Sequence, residues 1–167
     1  TVGSPLTLAG SQSVGNVNAS VWYMRSPARE VTIDNSADDA SRFHITVPSA
    51  VDHLDVHVQT LFGVDQVNPV GTAVTATGDS QVPSVAATTK ANQVVFDCVG
   101  VADDETITKD SSQTLIGTSY TGNTGHRSGA SYERASGTST TMSWAISNDD
   151  QPWAIVALPI NTSKPIV

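Results

Sequence analysis

Apolar positions along this chain recur at a period of two. Met142, Trp144 and Ile146 alternate with Thr141, Ser143 and Ala145. That spacing puts one set on each face of a β-strand. An Asn148–Asp150 turn follows, then the apolar run Gln151–Ile160 (QPWAIVALPI), and together they predict a hairpin. Leu54, Val56 and Val58 share one face of a second alternating run. His53, Asp55, His57 and Gln59 share the other, which is expected to be a solvated polar face. Gln93–Val101 is almost continuously apolar, as in a central strand covered on both sides. Helical periodicity is nearly absent.

The same reading predicts strands at Leu6–Ala9, Ser20–Met24, Glu30–Ile33, Arg42–Val47, Leu54–Phe62, Thr72–Ala76, Gln93–Val101, Thr114–Thr118, Ser131–Arg134, Thr140–Ile146 and Trp153–Pro159. Gly, Pro, Asn and Asp punctuate the gaps at roughly ten-residue intervals, which predicts an all-β, antiparallel β-sandwich of jelly-roll-like form. No linker divides the chain, so residues 1–167 are read as one domain. The glycine-rich segment Gly117–Gly129 is expected to be an exposed loop. Met142, Trp144 and Ile146 are expected to pack between two sheets, with Phe96 and Cys98 in the same core.

Charge narrows the function. Charged residues make up only 14% of the chain and its net charge is −8. A balance of that sign repels nucleic-acid phosphate, so a nucleic-acid partner is not expected. No apolar run reaches the length of a membrane span. Cys98 is the single cysteine, which leaves no intrachain disulfide, and its apolar setting predicts a small core residue.

Candidate chemistry is sparse. His53 and His57 lie about 13 Å apart along a strand, too far to ligate one ion. Asp103, Asp104, Asp149 and Asp150 are the candidate metal ligands, since Ca2+ takes oxygen ligands from acidic loops; no other cofactor is expected. No Gly-x-Ser-x-Gly elbow occurs, and the chain is not expected to be an enzyme. Tyr120, His126, Arg127 and Tyr132 are the candidate contact residues for a ligand or partner. Trp22, Tyr23, Trp144 and Trp153 would stack on sugars only if they were exposed. Asn18 and Asn161 open the two glycosylation sequons.

The order of these pieces resembles a β-sandwich, jelly-roll-like module that recurs in large bacterial surface proteins and in phage or metagenomic virion proteins. The matching stretches are Gly3–Ser11, Val21–Pro27, Phe62–Thr72, Gln93–Val101, Gly129–Glu133 and Gly137–Ile160. The resemblance implies a non-enzymatic structural subunit on the outside of a virion, a surface layer or an extracellular filament. Its partners would be copies of itself or other surface proteins. The alternative is a carbohydrate-binding or adhesion module, with glycans as partners. The family pattern carries one or two strands before the Gly-x-Pro-Leu-Thr-Leu segment, which here starts at residue 3. A sheet edge near Leu6–Ala9 is therefore expected to lack a partner, and Asn161–Val167 is a candidate donor strand.

Overall fold

Residues 6–25, 53–102, 105–120, 125–147 and 149–163 are described by a computed structural model. Ten strands follow in chain order: β1 (Thr7–Val14), β2 (Val17–Tyr23), β3 (Val74–Ser80), β4 (Ser84–Thr88), β5 (Val94–Val101), β6 (Ile107–Lys109), β7 (Thr114–Tyr120), β8 (Arg127–Arg134), β9 (Ser139–Ile146) and β10 (Gln151–Ile160). Every ladder between them is antiparallel.

Two sheets form the sandwich. One runs β3-β10-β5-β8-β7 and the other β4-β9-β6. The pairs β3·β10, β4·β9 and β5·β8 are successive rungs of one long antiparallel hairpin. Rolling that hairpin up brings β10 beside β5 and β9 beside β6. This is the winding of a jelly roll. β7 departs from it, pairing with β8 and widening the first sheet.

The main core lies between the sheets. Val95, Val99, Val101, Met142, Trp144, Ile146, Trp153 and Ile155 are buried there. Both buried indoles need glycine opposite them. A Cβ on Gly129 would lie 2.5 Å from the Trp144 ring, and one on Gly78 would lie 2.5 Å from the Trp153 ring. β5 is the central strand of the five-stranded sheet, and β10, between β3 and β5, is buried along nearly its whole length.

A third layer covers the other face of the five-stranded sheet. The β1–β2 hairpin turns at Gly15, whose φ of 56° is the left-handed value that a primed two-residue turn asks of its first residue. Val17 and Ala19 of the hairpin pack on Ala154 and Val156 of β10. Beside the hairpin lies a stretch without a ladder, residues 53–62, here termed the strap.

Several expectations change. Near Leu6–Ala9, β1 pairs with β2 from Thr7 to Val14, and the two-stranded sheet leaves the other edge of β1 without a ladder among the described residues. Of the candidate donor Asn161–Val167, residues 161–163 are tied within their own chain, and residues 164–167 lie outside the described residues. Asn161 N–H donates to the Pro69 carbonyl at 2.9 Å, and Ser163 N–H to the Gly63 carbonyl at 2.8 Å. The described residues of Gly117–Gly129 are mostly strand rather than loop, since Gly117–Tyr120 completes β7 and Arg127–Gly129 opens β8; residues 121–124 lie outside the described residues. Phe96 and Cys98 point away from the main core, because the period of two puts Val95, Asp97 and Val99 inward instead. β4 and β6, short and weakly apolar, had no counterpart among the predicted strands. Glu30–Ile33 and Arg42–Val47 lie outside the described residues.

Candidate functional site

Asp97 is the carboxylate that a sequence pattern hides best. It stands in the middle of the apolar run VVFDCVGV and is 3% exposed. Four donors converge on it. Ser131 gives its backbone N–H at 2.9 Å and its hydroxyl at 2.6 Å to Oδ1. The Trp144 indole N–H donates to Oδ2 at 2.7 Å, and the Gln113 amide at 3.4 Å. Gln113 also accepts the Ser143 N–H of β9 at 2.8 Å, so the network stitches the two sheets together. Burial pushes the Asp97 carboxyl up to about 6, while the Ser131 and Trp144 donors pull it back. A carboxylate with its oxygens taken by donors and sealed from water holds a fold together.

Cys98, on the opposite face of β5, packs under the hairpin beside Val21, and its thiol donates weakly to the Ser20 carbonyl at 3.5 Å. Burial, and then the neighbouring Asp97 charge, push this thiol up to about 12, so it is not a nucleophile at neutral pH.

The strap inverts the expected amphipathicity. His53, Asp55 and His57 face the sheet, whereas Leu54, Val56 and Val58 face water. Asp55 takes the reason with it: it accepts the Ser119 hydroxyl of β7 at 2.6 Å and the Ser128 hydroxyl of β8 at 2.9 Å. Those two serines are register partners, so one carboxylate clamps both strands. Gly117 makes room for the His57 ring, since a Cβ there would lie 3.0 Å from Nδ1. Nε2 of His53 and of His57 are buried without a hydrogen-bond partner among the described residues. His53 lies 5.7 Å, centroid to centroid, from His126, which places the latter at the end of the same polar seam.

Of the expected contact residues, Tyr120, His126 and Arg127 gather where β7 ends and β8 begins, and Tyr132 lies apart, further along β8. Tyr120 is exposed, but the Arg127 guanidinium sits 3.7 Å over its ring centroid and occupies one face. Tyr132 stacks on Phe96 at 5.5 Å. Asp149 and Asp150 are exposed at a turn, and Asp103 and Asp104 lie outside the described residues. Among the described residues, no three His, Cys, Asp or Glu side chains gather as a metal would need. The Asn18 amide donates to Ser11 at 3.2 Å. Asn161 is engaged at both ends of its amide, donating to the Asn68 carbonyl at 2.8 Å and accepting from Gln93, so a glycan there would have to break a tie.

Two shallow hollows open on the described surface. One, of about 270 Å³, lies where the strap ends, between Leu61, Phe62, Val94, Phe96, Tyr132 and Ile160. The other, of about 460 Å³, lies by Gly71, Thr88, Lys90 and Gln93. Neither gathers an acid and a base. No helix among the described residues is long and apolar enough to cross a membrane.

The sandwich has two unlike outer faces. Outward positions on the three-stranded sheet are Ala86, Thr88, Thr108, Thr141 and Ala145, all small and uncharged. The opposite layer exposes Leu8, Trp22, Leu54, Val56, Val58, Phe62 and Val67. Arg25 links the open end of the hairpin to the segment that follows the strap, donating to the Gln66 and Val67 carbonyls at 3.4 and 3.3 Å.

No family model matches the chain, and no curated protein does. Among solved structures it matches a chain of the tripod from the baseplate of bacteriophage Tuc2009, at 15% identity, over 78% of this chain and 84% of that one, with a TM-score of 0.36. A TM-score so low leaves function to be read from the chain's own surface.

Proposed function

We propose that this chain is a non-enzymatic structural subunit on the outside of a virion, a surface layer or an extracellular filament, where it serves assembly or decoration. The observation that carries this reading is the contrast between its two faces. One face is a smooth Thr/Ala surface suited to water. The other carries a layer of exposed apolar side chains on a hairpin and strap held firmly to the sandwich. An apolar layer that a fold anchors rather than buries is suited to contact with another protein. The core network around Asp97 supports the same reading, because its buried carboxylate serves rigidity.

A carbohydrate-binding or adhesion module is the second reading. Trp22 favours it, being 51% exposed on the outer layer next to Leu8, its register partner in β1. Trp144 and Trp153 do not, since both are buried.

Sedimentation velocity over a wide concentration range, with electron microscopy of the same samples, tests the first reading against the second on a glycan array. Concentration-dependent association or ordered particles are expected. Glycan binding that is lost in Trp22→Ala, by a chain that never associates, would replace the first reading by the second.

A further inference from the structure

We infer that the end of the strap is the site at which two copies of this chain dock, each inserting Phe62 into the apolar hollow of the other. This inference rests on the subunit reading above and names the partner of that face.

Phe62 is 93% exposed, an extreme value for a phenylalanine. It stands on the rim of the hollow lined by Leu61, Val94, Phe96, Tyr132 and Ile160. The hollow holds about 270 Å³, enough for a phenyl ring, and its walls already include a stacked aromatic pair. An unfilled apolar pocket beside an unhoused aromatic ring is a pocket and its plug on one patch. When both lie on the same patch, two copies related by a two-fold axis satisfy each other, and the assembly closes rather than growing into a fibre. A buried aromatic anchor of this kind carries a large share of binding energy.

Charge favours a second copy as the occupant. The chain has a net charge of −8, so copies repel except where the surface is uncharged. The strap is such a surface. From Leu54 to Val64 the one carboxylate is Asp55, which is turned inward onto Ser119 and Ser128.

Area agrees. Leu54, Val56, Val58 and Leu61 are 54%, 49%, 46% and 39% exposed. With Phe62 they leave on the order of 400–500 Å² of apolar side chain in water, near the upper end for a monomer's largest patch. Adding the exposed polar neighbours Gln59 and Thr60 brings the face towards the roughly 800 Å² per partner of a stable interface.

The test is the mass of the purified full chain by light scattering and sedimentation equilibrium, for the wild type, Phe62→Asp, Val56→Asp and Thr141→Asp. Thr141 is exposed on the opposite face. All three positions are exposed, so folding should survive and circular dichroism would confirm it. The expected result is a dimer for the wild type and Thr141→Asp, with association weakened at least a hundredfold towards monomer in Phe62→Asp and less strongly in Val56→Asp. A wild type that is monomeric at every concentration overturns the self-docking inference but leaves the subunit reading, which then requires a different protein on this face. A dimer that Phe62→Asp leaves intact overturns the assigned site.

Discussion

Asp97 and Trp144 decide the interior. The carboxylate is matched by donors from β8, β9 and the turn before β7, so each donor removed leaves charge uncompensated in a dry site. Trp144→Phe keeps most of the packing and deletes the 2.7 Å indole donor. Urea unfolding should show a loss of about 2–4 kcal/mol, made up of a hydrogen bond to a charged group and a small void. The same carboxylate sets a pH dependence. Its folded value of about 6 lies above the ordinary 3.8, so the folded state takes up a proton first as pH falls. Its contribution is therefore most favourable below pH 4 and is lost as pH rises from about 4 to about 6, by about 3 kcal/mol. Unfolding midpoints of the wild type against Asp97→Asn across that window should diverge in that direction. Parallel curves would contradict the assignment. An acid inside the run VVFDCVGV is visible in the sequence as an irregularity, but nothing there names its donors. Gln113, Ser131 and Trp144 are 16, 34 and 47 residues away and meet it only through the rolled-up pairing.

Strands were legible where alternation had one sensible answer. Met142, Trp144 and Ile146 could only face inward, since three large apolar groups on one face need cover. The strap shows the limit of that logic. Its alternation has the period of a strand and divides His53, Asp55 and His57 from Leu54, Val56 and Val58. Period alone does not say which set goes down. Two serine hydroxyls and a glycine on β7 and β8 make a polar bed, and the polar face takes it. Gly117–Gly129 fails in a different way. Its glycines suggested a loop, whereas Gly117 serves the His57 ring and Gly129 serves Trp144 inside strands. If Asp55 is the clamp, Asp55→Ala should free the strap before it unfolds the sandwich. Thermolysin should then cut first within residues 54–58, with a loss of about 1–3 kcal/mol in global stability. Unchanged cleavage would show that the strap is held by something else.

At the scale of the whole molecule, the fold is a jelly roll with a third layer. That layer is where the chain spends its exposed apolar area. The sandwich class was readable from short strands and regular turns, because those follow from local composition. The apolar outer layer was not, because it arises from which side of the hairpin and strap the sheet accepts. The claim that most depends on this is that Phe62 plugs the hollow of a second copy. Photo-cross-linking tests it most directly. The chain is made with p-benzoylphenylalanine in place of Phe62, irradiated in solution, and the adduct mapped by mass spectrometry. The account predicts a covalent dimer whose adduct falls on peptides that carry Phe96, Tyr132 or Ile160 of the other copy. Irradiation that yields only monomer, or dimers joined elsewhere on the surface, would contradict it.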